Sequence, residues 1–190
     1  KMQTQSVYGV EIIEERAAQA SKRGIEVRRT DLNRQLPFDS DSFDLVHANQ
    51  VIEHLHDLDT FISEIYRVLS PGGAVVVSTE NGSSWHNIVA AILGWQIFSL
   101  TNFSTKQSGI GNPLAIHRKE QLALGSWTHK VIFNYRGLRE FFELYGFQDV
   151  QVKGAGYYPL PARVGQIDVR HAHFLTLRGY KPGARPIEPQ

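Results

Sequence analysis

The stretch Ser42-Phe43-Asp44-Leu45-Val46-His47-Ala48-Asn49 opens the part of this 190-residue chain whose pattern decides the fold. Phe43 to Ala48 is a β-type run. Leu58 to Leu69 then carries apolar residues at 58, 61, 62, 65, 68 and 69, the spacing of a helix with one buried face. Ser70-Pro71-Gly72-Gly73 ends that helix, and Ala74 to Ser78 is a strand with a continuous apolar core. Strand, helix, turn and strand make a βαβ unit. Continuous apolar strands suit a parallel sheet covered on both faces.

Working outward, the same alternation extends in both directions. Ser6 to Val10 reads as a strand, Glu11 to Arg23 as a helix closed by Gly24, and Ile25 to Thr30 as a second strand. An acidic, proline-containing loop runs from Asp31 to Ser42. Downstream, Trp85 to Leu93 and Tyr135 to Tyr145 have helical spacing, and Phe147 to Val152 and Val169 to Leu177 read as the last strands. The expectation is one domain over residues 1–180. Residues 80–130 form an insertion or lid, since a piece this long between sheet elements is usually a binding segment. The tail 181–190, with Pro182, Pro186 and Pro189, is expected to fray.

Composition narrows the classes. Hydrophobic residues make up 42% and charged residues 21%, as in ordinary globular domains, and the formal net charge is +1. The basic stretch Lys22, Arg23, Arg28, Arg29 is interrupted by Glu26 and reads as a solvated face, so a nucleic-acid partner is not expected. No run of about 18 apolar residues predicts a membrane span. With no cysteine there is no disulfide framework, thiol nucleophile or zinc-thiolate site, which fits a cytoplasmic location.

Ligands of open α/β sheets bind beyond the carboxyl ends of the strands. Four polar segments stand there: Glu11, Asp31-Leu32, Asn49-Gln50 leading to Glu53-His54-Leu55, and Thr79-Glu80-Asn81. Together they predict one crevice.

These segments resemble the class I S-adenosylmethionine-dependent methyltransferases, especially the small-molecule, type 11/23-like branch. The resemblance rests on Ser42-Phe43-Asp44-Leu45-Val46, Val51-Ile52-Glu53-His54-Leu55 and Arg67-Val68-Leu69-Ser70-Pro71-Gly72-Gly73 in that order, with Glu11 and Asp31 upstream. It is strong over residues 6 to 81 and weaker through His129 and Tyr135 to Phe147. It implies a Rossmann-like, doubly wound, mostly parallel sheet with an antiparallel last strand. It also implies S-adenosylmethionine as cofactor, S-adenosylhomocysteine as product, and methyl transfer to an oxygen, nitrogen or carbon of a small molecule.

Carried over residue by residue, Glu11 would accept from the ribose hydroxyls, although it also suits a helix start. Ile12 would pack on the adenine or simply in the core. Asp31 would accept from the adenine amino group, with the Leu32 N–H near the ring; the alternative is a turn-initiating Asp. Asn49 and Gln50 match the segment along the methionine moiety. Asn81 and His129 are candidate substrate contacts by position. His54 is a candidate base, since imidazole titrates near neutral pH. No metal site is expected, because His54 and His56 have no further ligands at helical or hairpin spacing. His171 and His173 are expected to alternate along one face of the last strand.

The family's first element, a strand followed by a Gly-x-Gly-x-Gly loop, has no counterpart before Ser6. Its absence should leave a gap between neighbouring strands, and the chain as given should bind cofactor weakly or not at all. Two other functions stay open: a non-catalytic module that keeps the fold for binding, and an NAD(P)-dependent oxidoreductase. The acceptor and the oligomeric state have no readable code.

Overall fold

A computed structural model describes residues 6–122, 127–158 and 160–183. Its elements follow the expected order: β1 (Tyr8–Val10), α1 (Glu14–Ser21), β2 (Glu26–Arg28), β3 (Phe43–Asn49), α2 (Leu58–Val68), β4 (Leu69–Glu80), α3 (Trp85–Ile92), α4 (Tyr135–Leu144), β5 (Gln148–Ala155) and β6 (Phe174–Tyr180).

The decisive unit forms as read. On α2, Phe61, Ile62, Ile65 and Val68 are buried, and Asp57 caps its start by accepting from the Thr60 N–H at 2.9 Å. The turn at Pro71 behaves differently from expectation. It does not precede the strand but is built into β4, which starts at Leu69 and pairs in parallel with β3 through a register shift between Phe43 and Leu45. Gly73 is required there: a Cβ would lie 2.8 Å from the Ser70 carbonyl and 3.1 Å from that of Phe43.

β6 pairs antiparallel with both β4 and β5, giving the order β3-β4-β6-β5. This is the antiparallel last strand that the resemblance implies. It is shorter and later than its sequence suggested. Residues Val169–His171 form a 3-10 turn instead, so His171 and His173 precede the strand rather than alternating along it. The cause is local: Asp168 binds the His171 ring, and Asn81 binds the carbonyls of Arg170 and Ala172, bending this segment away from the ladder.

β1 and β2 form a separate parallel pair. Between β1 and β3 lies a cavity of about 220 Å³, lined by Gly9 and Val10 on one side and by Leu45 to Asn49 on the other. The expected gap is therefore present. It explains why Leu45 on β3 is 39% exposed, whereas Val75 and Val77 on β4 are fully buried. Side chains bridge the two sheets instead. Tyr8, Phe38 and Phe43 make mutual edge-to-face contacts at 4.9–5.9 Å. Arg67 on α2 donates to the carbonyls of Leu36 and Phe38 and to Glu64.

Lys181 is not frayed. Its ammonium donates to Asp41 and to the Leu69 carbonyl, both at 2.7 Å, and only residues 184–190 of the expected tail fall outside the described residues.

Candidate functional site

Because β1 and β2 run parallel in register, their carboxyl ends face the same way. Glu11 follows β1, and its N–H donates to the Arg28 carbonyl at the end of β2. It lies outside α1, which starts three residues later than the sequence suggested, because its Oε1 accepts the Ile13 N–H at 2.9 Å. Asp31, just beyond β2, is held in an Asx turn: Oδ1 accepts from both the backbone and the side chain of Asn33. These bonds, the backbone one foremost, pull its carboxyl below the usual range, so it is ionised at neutral pH. Among the described residues, neither the second oxygen of Glu11 nor that of Asp31 has a hydrogen-bond donor.

Asn33 was not singled out by sequence, yet it sets the geometry. Its side-chain oxygen accepts the N–H groups of His56 and Asp57 at 2.8 and 2.9 Å. The loop that carries Asp31 is thereby fixed to the turn that follows β3. Leu32, Val10 and Asn49 line one cavity. The Asn49 side chain accepts from the Ser78 hydroxyl, and Gln50 sits in the left-handed region (φ 52°) with its N–H on the Ser78 carbonyl. Ile12 is 53% exposed, which leaves its face open to a ligand rather than in the core. The six residues expected to hold the cofactor thus stand at or beyond the carboxyl ends of β1, β2 and β3.

Asn81 and His129, the two candidate substrate contacts, differ in their surroundings. Asn81 is fully buried, and its amide is saturated: it donates to Arg170 and Ala172 and accepts twice from Ser83. It is a structural tie, and the substrate contact expected for it is not supported. Asn87 continues that tie by bonding the Asn81 carbonyl and Ser99. His129 then closes the chain, with Nδ1 at 2.6 Å from the Ser99 carbonyl. At the other side of the crevice the Arg16 guanidinium of α1 lies 5.1 Å over the Trp127 ring. The segment after β4 therefore reaches from the β4 end across to α1.

Under it, His129 meets His54 edge-on at 4.8 Å. The Nδ1 of His54 lies 3.2 Å from the Thr128 carbonyl. A carbonyl only accepts, so both rings carry their proton on Nδ1 and present a lone pair at Nε2. Burial lowers the pKa of His54, which keeps it neutral at pH 7. Glu53 beneath them is fully buried; burial raises its pKa, and only Oε2 is bonded, accepting from Thr79 at 3.0 Å.

Comparison with known proteins bears on the fold and on the first part of the chain. The family model described as a methyltransferase domain matches residues 1–77. A possible histamine N-methyltransferase of Thermotoga maritima, described as S-adenosylmethionine-dependent, superposes with a TM-score of 0.64 at 20% identity, over 92% of this chain and 72% of that one. Residues 1–77 are thus similar to a methyltransferase domain, and the fold resembles that of the Thermotoga protein.

Two curated proteins share parts of their sequence with this chain. The malonyl-[acyl-carrier protein] O-methyltransferase of Erwinia billingiae is 43% identical over 65 residues, 34% of this chain and 25% of that protein. The mitochondrial ubiquinone biosynthesis O-methyltransferase of Homo sapiens is 31% identical over 104 residues, 50% of this chain and 28% of that protein. The chain thus spans about a quarter of the length of the curated relatives it matches. No helix among the described residues is long and apolar enough to cross a membrane.

Proposed function

We propose that this domain transfers a methyl group from S-adenosylmethionine to an oxygen, nitrogen or carbon of a small-molecule acceptor. The observation that carries this reading is the placement of Glu11 and Asp31 at one carboxyl edge of a parallel pair, each with an acceptor oxygen open. Glu11 would hold the ribose diol and Ile12 one adenine face. Asp31 and the Leu32 N–H would hold the adenine edge, and Asn49 and Gln50 the methionine end.

The cofactor supplies an activated methyl and its own leaving group, so the protein's part is alignment and exclusion of water. The segment after β4, tied through Ser99 to His129 and through Trp127 to Arg16, would close the acceptor side. His129 is the acceptor contact in this reading. Where the acceptor carries an ionisable hydroxyl or amine, His54 Nε2 is the lone pair placed to take its proton. A chain without cysteine suits the cytoplasm, which is the location this reading assigns.

A methyl-transfer assay on the full-length protein tests the proposal. Release of S-adenosylhomocysteine should depend on both acceptor and Glu11. Cofactor binding without turnover on any hydroxyl, amine or carbon acid would favour the non-catalytic module.

A further inference from the structure

Glu53, His54 and His129 come together from the turn after β3 and the end of the lid. One donor atom from each lies within 4.8 Å of the others. We propose that these three side chains form a binding site for one divalent transition-metal ion of the zinc class.

Three features carry this beyond mere proximity. Glu53 is fully buried, and its Oε1 is the only buried side-chain polar atom among the described residues without a hydrogen-bond partner. Such an oxygen is costly to leave unsatisfied, and a cation satisfies it. Both imidazoles give their Nδ1 proton to a main-chain carbonyl, Thr128 for His54 and Ser99 for His129. That is the outer-shell arrangement that fixes a metal-binding histidine and turns its Nε2 lone pair inward. Finally, two imidazoles and one carboxylate are the donor set that borderline divalent ions prefer, with further positions left for water or a ligand. Bonds of about 2.0–2.2 Å would draw the donors closer together than they stand, by an adjustment on the scale of one side-chain rotation.

The surroundings are mixed in charge. The Glu80 carboxylate acts on His54 in the favourable sense, and the Lys130 ammonium, bonded to the Thr128 hydroxyl, in the opposing one. The Lys130 and Val131 N–H groups already donate to the Glu53 carbonyl at 2.7 and 3.4 Å, so lid and turn are joined before any ion arrives. An ion would add a second clasp at the same place. It would also replace the base role of His54 with Lewis acidity towards an acceptor hydroxyl. The site itself does not rest on methyl transfer.

Calorimetric titration of the chelator-stripped chain with Zn²⁺, with Co²⁺ absorption as a second readout, tests the proposal. One equivalent should bind, and His129→Asn and Glu53→Gln should each weaken it at least tenfold and change the Co²⁺ spectrum. His56→Asn should leave binding intact. The double variant His86→Asn/His173→Asn should do likewise, although it removes the other close imidazole pair, 4.4 Å apart. Circular dichroism checks each fold, and His54→Asn replaces any variant that fails it. No saturable binding, or binding that follows His86 and His173 instead, overturns the proposal.

Discussion

Tyr8 on β1 and Phe43 on β3 meet edge to face, with ring centroids 5.7 Å apart, where no backbone hydrogen bond joins the two strands. Phe38 completes the contact from the intervening loop. With the sheet split at this point, side-chain packing must carry what a ladder normally carries. Phe43→Ala should therefore lower stability by about 2–3 kcal/mol, less than for a fully enclosed ring because Phe43 is half-buried. Urea unfolding measures this. A loss under about 0.5 kcal/mol would mean that the aromatic contact does not hold the halves together.

Arg67 is the second bridge. Its guanidinium reaches Glu64 and the carbonyls of Leu36 and Phe38, and Glu64 also accepts the Leu36 N–H. Arg67→Ala should cost about 2–3 kcal/mol, and Arg67→Lys should recover little, since an ammonium cannot span the same acceptors. The ion pair with Arg67 holds the Glu64 carboxyl below its ordinary 4.5. Its stabilisation is therefore present above that value and is lost as the pH falls through the lower folded one. Glu64→Gln should make the protein less stable at pH 7 and flatten its acid unfolding.

His86 loses stability in the same direction, but from a higher pH and for a different reason. Burial, then the neighbouring His173, lowers its pKa from 6.5 to about 4. The folded state resists protonation while the unfolded chain accepts it, so stability should decline as the pH drops from 6.5 towards 4 and level off below. His86→Phe should remove much of that slope in melting temperature against pH. An unchanged slope would assign it to other groups.

The fold was legible where local pattern and packing agree. The apolar positions of α2 map onto its buried face, and the strand-end polar segments stand where the alternation placed them. What failed were places where a distant partner overrides a local signal. Pro71-Gly72-Gly73 keeps the chemistry of a turn, but Gly73 packs against the Phe43 carbonyl, so the turn becomes a bulge inside β4 that the ladder skips from Leu69 to Ala74. The Val169 run has strand-like residues, but Asn81 and Asp168 pull it into a 3-10 turn.

The same holds for the site. Glu11, Asp31 and Asn49 were readable as candidates because each stands at or shortly after the carboxyl end of a strand. Asn33 carries a signal that was missed: an Asp-x-Asn turn beside a candidate ligand. The pairing of His129 with His54 has no spacing to read, because it depends on the tie from Asn87 through Ser99 to His129.

The nucleoside assignment for Glu11 can be tested without knowing the acceptor. Calorimetric titration of the full-length protein with S-adenosylhomocysteine should show one site. Glu11→Ala should weaken it about 10–100-fold, the effect of removing hydrogen bonds to a charged acceptor. Asp31→Asn should weaken it less, because the Leu32 N–H remains. Equal affinity in the wild type and Glu11→Ala, or no binding at all, would contradict the account.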